Sequence, residues 1–380
     1  MGSAQGAFFC VDNQTGKAVY GVRIERVRLC GFRNYESLTI SPGGSLNLIS
    51  GENGQGKTNL IESIFLCAVG RSHRTKRDKD LINREARGAY IGVDISNATG
   101  AHRIEIRLFV NERRRICVDG ALCERSGELM GVLNAVLFSP ESMSLIKGGP
   151  AERRRFLDMG ISQLHPSYYY ALQQYNAALK QRNALIKDLS APLDLIRSWD
   201  SQLAKYGGEV VKRREDFFKI FPVYADGIYT DISGGAERLE LSYERNEGAF
   251  YIGESLKRNL DEDRRRGYTG TGPHRDDISI LINGSDIRYF GSQGQQRTAA
   301  LAMKLSEIEL VYAVKGEYPV LLLDDVMSEL DEKRKRKLID SVEKCQCFLT
   351  SASELDAKVV KLMRAKAFTC ANGQIKEDST

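Results

Sequence analysis

The sequence predicts an α/β fold with a mostly helical arm inserted into it, and three observations carry that expectation. A glycine-rich loop, Gly51-Glu52-Asn53-Gly54-Gln55-Gly56-Lys57-Thr58, stands between a strand pattern and a helix pattern. A wholly apolar run, Pro319-Val320-Leu321-Leu322-Leu323, ends in the acidic pair Asp324-Asp325. Between the two, over residues 172–224, apolar side chains recur at heptad spacing.

The loop fits the pattern G-x-x-x-x-G-K-[ST] at every specified position. Before it, Leu46-Asn47-Leu48-Ile49-Ser50 reads as a buried strand. After it, Leu60, Ile61, Ile64, Phe65 and Ala68 fall on one helical face. Glycines let the backbone wrap closely around phosphate oxygens, with successive N–H groups and the positive end of the new helix aimed inward. Residues 51–59, ending at Asn59, are therefore the expected ATP- or GTP-binding segment, with Lys57 reaching the β/γ-phosphates and the Thr58 hydroxyl ligating Mg²⁺. The chance alternative, a glycine-rich turn that happens to hold Lys-Thr, leaves the strand–loop–helix order unexplained.

At 380 residues, 42% apolar and 28% charged, the chain has the composition of one large or two ordinary globular domains. No apolar run approaches the length of a membrane span. The eight cysteines include no C-x-x-C pair and the four histidines no metal spacing. Both point away from a disulfide framework or zinc site and toward a reducing cytoplasm. Net charge is only +5, but the basic residues are clumped, in 71–77, Arg113-Arg114-Arg115, Arg153-Arg154-Arg155, Lys212-Arg213-Arg214, Arg264-Arg265-Arg266 and 333–337. Any one such run is more often a solvated face than a site, whereas six on one nucleotide-binding chain favour a polyanionic partner.

Residues 1–21 read as an appendage: Met1-Gly2-Ser3 resembles an engineered leader, and the apolar patch 7–11 is too short for a signal peptide. An ATPase lobe is expected over 22–150, with strands near 90–95, 103–110 and 115–118. The arm is expected over 151–270, a second ATPase lobe over 271–375, and a tail over 376–380. In the arm, Leu172, Tyr175, Leu179, Arg182, Ile186 and Leu189 form one seam. Ile196, Trp199, Leu203, Tyr206, Val210, Arg213, Phe217, Ile220 and Tyr224 form another beyond Pro192. This is either a stubby antiparallel coiled coil or a pair of core helices. Strands are expected at 239–243 and 278–282, the latter followed by the hairpin dipeptide Asn283-Gly284, and an amphipathic helix over 296–314.

An apolar strand delivering an acid beside a phosphate loop is the Walker B arrangement, in which Asp324 holds Mg²⁺ and Asp325 orients or deprotonates water. Gly291-Ser292-Gln293-Gly294-Gln295-Gln296 contains S-x-G-Q, and Ser328-Glu329-Leu330-Asp331 follows the acidic pair. Together these resemble the ATP-binding-cassette heads of the SMC-like ATPases. That resemblance implies that Ser292, Gly294 and Gln295 contact the γ-phosphate of ATP bound to an opposite protomer. Phe32-Arg33-Asn34-Tyr35, Gly70-Arg71-Ser72-His73-Arg74-Thr75, Phe138-Ser139-Pro140-Glu141 and Gly272-Pro273-His274-Arg275-Asp276-Asp277 extend the likeness to the RecF family, from about Val22 into the 370s. It implies an ABC/SMC-type P-loop head with a short arm, dimerisation on ATP, DNA binding (duplex and duplex–single-strand junctions), and cooperation with RecR and RecO in loading RecA at gaps. Arg33 and Asn34 are candidates to flank the adenine or ribose. Arg71, Arg74, Lys76 and Arg77 are candidates for DNA, with Arg74 also a candidate for nucleotide. His274 and Arg275 are open between nucleotide, DNA and packing.

Two departures from the wider cassette pattern predict slow hydrolysis, and the activity expected is a weak, DNA-stimulated ATPase. Asp325 stands where those heads usually carry Glu, and Thr350-Ser351 stand where many carry a histidine. A transporter ATPase subunit is the chief alternative, but the chain between Lys57 and Ser292 is far longer than such a subunit's helical insert. An SMC-like structural tether lacks its long coiled coils here, and a small-molecule P-loop kinase leaves S-x-G-Q unexplained.

Overall fold

The computed structural model describes residues 10–11, 18–19, 21–188, 190–327, 330–352 and 365–378. They fall into two compact units, one running to Ser142 and resuming at Glu307, the other Met143–Ser306. The limits expected at 151 and 270 thus stand against unit boundaries at Met143 and Ser306, the latter inside the helix Gln293–Lys315. The Gly272–Asp277 motif and the S-x-G-Q segment belong to the second unit.

The first unit holds two six-stranded sheets. One runs in the order Ala135–Phe138, Val320–Asp324, Cys347–Ser351, Leu46–Ser50, Lys366–Ala371, Gln374–Glu377, parallel except for the last strand. Every residue of Val320–Asp324 and Cys347–Ser351 is buried, as a strand covered on both faces requires. The other sheet is antiparallel, in the order Tyr35–Ile40, Arg23–Phe32, Gly88–Asn97, Gly100–Phe109, Arg115–Val118, Ala121–Leu122. It aligns Val27 with Val93 and Val93 with Ile104, all buried, while Arg26, Arg28, Arg103 and Arg107 take the alternate positions. The helix Lys57–Val69 packs on strands of both sheets, so it is buried all round from Leu60 to Val69 rather than along the single stripe expected. Within the expected appendage, Cys10–Val11 pairs with Ala18–Val19; just beyond it, Val22 N donates to Tyr318 O at 3.0 Å.

The second unit is mostly helical. Helices Pro150–Leu164, Pro166–Lys187, Leu193–Phe218 and Phe221–Ser233 are joined by a three-stranded antiparallel sheet of Leu239–Glu244, Asp277–Ile282 and Ser285–Asp286. Proline stands in the first turn of three of these helices, where its missing N–H costs nothing. The turn Asn283-Gly284 has both residues at positive φ, +47° and +77°, as a two-residue hairpin demands. Helices Pro166–Lys187 and Leu193–Phe218 pack along each other. Their buried side chains include Tyr168, Ala171, Tyr175, Ala178, Arg182 and Ile186 on the first and Ile196, Asp200, Leu203, Val210, Val211, Arg214 and Phe217 on the second. Arg213 and Ile220, expected on the seam, are exposed, and Leu189 lies outside the described residues. The seam is displaced because Ile252–Arg258 and Leu239–Glu244 also pack on the hairpin, making its buried face wider than a two-helix contact. These are core helices of their unit. No helix among the described residues is long and apolar enough to cross a membrane.

Candidate nucleotide site

Strand Leu46–Ser50 lies inside the parallel sheet, between Cys347–Ser351 and Lys366–Ala371. Its carboxyl end therefore gathers the loop 51–56, the acidic pair and Thr350, the place where open α/β sheets bind ligands. The loop is backed closely from outside. A Cβ on Gly51 (φ +148°) would sit 2.2 Å from Cys370 O, and one on Gly56 (φ +125°) within 3 Å of the Asn34 and Tyr35 side chains. Tyr35 Oη donates to Gly56 O at 2.9 Å, Asn34 Nδ2 to Gln55 O at 2.7 Å, and Asn372 N to Gln55 Oε1 at 2.6 Å. Lys57 is buried, with its ammonium donating to Gly51 O at 2.6 Å and Glu52 O at 2.7 Å. Among the described residues no side chain caps the first turn of the helix that follows. Its N–H groups keep the anion-facing chemistry expected of the loop.

The acidic strand stands alongside. Asp324 Oδ1 accepts from Thr58 Oγ1 at 2.9 Å and from Thr350 Oγ1 at 2.8 Å, while Asp325 N donates to Thr350 Oγ1 at 3.0 Å. Asp325 adopts φ +51°, a left-handed conformation that aspartate tolerates and that concentrates at functional turns. A hydroxyl and a carboxylate paired this way fit the donor set of Mg²⁺, which takes one or two protein oxygens beside phosphates and water. Among the described residues there is no cluster of three or more His, Cys, Asp or Glu suited to another metal.

Arg33 and Asn34 do not stand free beside the loop. Arg33 makes a two-pronged ion pair with Glu62, Nε to Oε2 and Nη2 to Oε1, both at 2.8 Å, and donates to Asp80 O. Asn34 braces Gln55 and accepts from Asn59 Nδ2 at 2.8 Å. The fully buried Glu62 is the residue that sequence reasoning missed. It also accepts from Ser72 Oγ and lies 3.6 Å from Arg74, which itself donates to Asn59 Oδ1 at 2.9 Å. Burial would raise the Glu62 pKa, but the hydrogen bonds from Arg33 and Ser72 and the nearby guanidinium charges outweigh it and hold the carboxyl below its usual range. Arg71, Arg74, Lys76 and Arg77 are all exposed.

The S-x-G-Q segment opens helix Gln293–Lys315 with a reciprocal capping box. Gln295 N donates to Ser292 Oγ at 3.1 Å and Ser292 N to Gln295 Oε1 at 2.7 Å. Gln295 Nε2 also bonds Glu237 at 2.7 Å, so both ends of that amide are engaged within the unit. The Ser292 hydroxyl accepts there and keeps its proton to donate. Ser328 and Glu329 lie outside the described residues. Both ring nitrogens of His274 are engaged within its unit: Nε2 donates to Thr269 O at 2.9 Å, and Nδ1 faces Tyr175 Oη at 2.6 Å. Burial pushes its pKa down to about 4, leaving it neutral. The Arg275 guanidinium lies 4.6 Å over the Tyr268 ring.

The family model for the RecF/RecN/SMC N terminal domain matches residues 23–369. The chain is 43% identical to the DNA replication and repair protein RecF of Lachnoclostridium phytofermentans over 330 residues, 86% of this chain and 92% of that one. It is 43% identical to that of Alkaliphilus oremlandii over 362 residues, 93% and 99% of the two chains. A solved structure of the recombination mediator protein RecF with ATP superposes with a TM-score of 0.87 at 34% identity, covering 95% of this chain and 99% of that chain. An Smc head domain from Pyrococcus furiosus shares the fold alone, with a TM-score of 0.56 at 19% identity. With those matches spanning both units, the chain belongs to the RecF family of SMC-type ATPases.

Proposed function

We propose that this RecF-type chain is an ATP-gated DNA clamp. Two copies trap two ATP molecules, each held by residues 51–59, with Lys57 and Thr58, of one copy and by Ser292 and Gly294 of the other. Mg²⁺ would be held by Thr58 and Asp324 and would supply charge neutralisation at the phosphates. Asp325 orients the attacking water, and Lys57 and Ser292 answer the charge on the terminal phosphate. The single observation that carries this reading is the Thr58–Asp324–Thr350 chain of hydroxyl and carboxylate, with Asp325 attached to it through its own amide.

The short Asp325 side chain and a threonine in place of an imidazole leave water less tightly positioned. Hydrolysis is accordingly weak, DNA binding stimulates it, and ATP acts as a timed clamp. The closed dimer holds duplex DNA or a duplex–single-strand junction, with Arg71, Arg74, Lys76 and Arg77 meeting phosphates, and works with RecR and RecO to load RecA at gaps. Phosphate contacts make binding salt-dependent and largely blind to sequence.

Sedimentation and DNA binding of wild type, Lys57→Arg, Asp325→Asn and Ser292→Arg, with and without ATP, test the mechanism. The Asp325 variant should accumulate as an ATP-dependent dimer, while the Ser292 variant stays monomeric. An Asp325→Asn protein that fails to accumulate as that dimer, or a monomer that cleaves ATP unaided, overturns the clamp.

A further inference from the structure

Tyr289 and Phe290 are 70% and 78% exposed, with their rings 6.5 Å apart edge to face. Adjacent exposed rings offer a contact surface; Phe250 and Tyr251 of the same unit do so too, but Tyr289 and Phe290 stand immediately before the Ser292 segment. They sit on a fixed mount. Asp286 caps the short turn Ile287–Phe290 by accepting from Arg288 N at 2.8 Å, and Ile287 is buried beneath it. Gln296, itself buried, donates from Nε2 to Ile287 O at 3.0 Å and ties that turn to the helix carrying Ser292. The Arg288 guanidinium lies 4.7 Å over the Tyr289 ring, which keeps most of its surface open.

Among the described residues of the first unit, which carries the phosphate loop, there is no counterpart. Among its described residues the well-exposed large apolar side chains are Val110, Leu122 and Val314, none of them aromatic. Tyr35 is buried under the loop, and Arg33 and Asn34 are bonded to protein. A chain rises at most about 3.5 Å per residue, so Tyr289 and Phe290 lie within roughly 10 Å of the Ser292 backbone. A side chain added to that reach spans the spread of a nucleoside triphosphate from terminal phosphate to base.

We propose that Tyr289 and Phe290 form the platform for the purine base of the ATP bound by a second copy of this chain. The segment that meets the terminal phosphate through Ser292 then also reads the base. This rests on the ATP-sandwich dimer proposed above. Every base can stack on an aromatic platform, but the larger π-surface of a purine gains more than that of a pyrimidine.

The test is the nucleotide concentration giving half-maximal dimer by sedimentation, for wild type, Tyr289→Ala/Phe290→Ala and Ser292→Arg, each with ATP and with CTP. Wild type should need less ATP than CTP, and the double variant about tenfold more ATP than wild type with a smaller rise for CTP. An unchanged ATP requirement, or an equal loss with both nucleotides, overturns the base platform; equal loss assigns the rings to a protein contact instead. If Ser292→Arg blocks dimerisation while the double variant matches wild type, only the platform fails. If wild type stays monomeric in ATP, or Ser292→Arg dimerises like wild type, the sandwich reading fails and takes the platform with it.

Discussion

Beside the phosphate loop one buried carboxylate serves two guanidiniums; in the second unit two buried guanidiniums, Arg182 and Arg214, each serve two carboxylates. Glu62 pairs with Arg33 and lies near Arg74. Arg182, with no exposed side-chain surface, pairs with Asp200 and Asp263, and Arg214 with Asp158 and Asp276 while also donating to Tyr168 Oη. The first arrangement leaves positive charge over, at the rim of a site built for phosphates. The second consumes its charge internally, in geometry that ties helices Pro150–Leu164, Pro166–Lys187 and Leu193–Phe218 to the Gly272–Asp277 motif. Buried ion pairs add little stability over apolar packing, but breaking one strands its partner. The second unit should therefore fail by unfolding where the first fails by losing ligand.

The largest expected effect is Arg214→Met, which leaves Asp158 and Asp276 without their cation and should cost about 3–5 kcal/mol. Trp199 is the only tryptophan in the chain and packs against the core of the second unit, so its fluorescence in urea reports that unit. A shift in its transition of less than about 1 kcal/mol would mean that the buried charges are bystanders.

Next comes acid sensitivity. His274 has its pKa lowered from 6.5 to about 4, chiefly by burial. The unfolded chain binds the proton first, so this group contributes stability that is complete above pH 6.5 and is lost as pH falls toward 4. The full shift corresponds to about 3 kcal/mol, and residual exposure lowers the expectation to about 2. His274→Gln keeps an amide donor for Thr269 O and removes the titration. The urea midpoint read by Trp199 should then fall less steeply between those two pH values than in wild type, and an unchanged slope would assign the acid limb to other groups.

These residues also mark what the sequence made legible. Val320–Asp324 could be placed because a strand buried on both faces reads as an apolar run up to its acid, Leu46–Ser50 because its apolar residues are broken inside only by Asn47 and lead straight into the loop, and the loop because its glycines and Lys-Thr admit few other uses. Glu62 could not, since one acid in an apolar helix reads as a solvent-facing position and its partners come from 29 residues before and 10 after. Within Lys212-Arg213-Arg214, periodicity chose Arg213, whereas burial falls on Arg214 because a strand and a further helix widen the packed face. The spacing of Ser292 and Gln295 is that of a capping box, yet the ligand reading absorbed it.

Arg33→Met probes the other side of the comparison at smaller amplitude. It removes a charged, two-pronged hydrogen bond but leaves Glu62 with Ser72 and Arg74, so the expected cost is about 1–2 kcal/mol, confined to the first unit. Hydrogen exchange of the Lys57–Val69 amides should speed up and ATP affinity fall, with the Trp199 transition unmoved. Coupled loss of both signals would make the two charge systems one.

The smallest effect on stability, and the finest test of the leftover charge, belongs to Arg74. Its side chain is 39% exposed and 3.6 Å from a carboxylate already held on both oxygens by Arg33. Arg74→Gln should therefore change stability by no more than about 0.5 kcal/mol. Glu62 can neutralise one guanidinium, and the shorter, two-pronged contact gives that role to Arg33. The Arg74 charge is then available to a phosphate, and removing it should lower the slope of log affinity for DNA against log salt by about 1. Lys344→Gln is the matched control, because Lys344 is paired with Glu309 at 2.9 Å and lies outside the basic runs. Its slope should stay at the wild-type value. If the Arg74 variant also keeps that slope, the surplus cation beside the loop serves the nucleotide or the fold, and DNA is held by other basic residues.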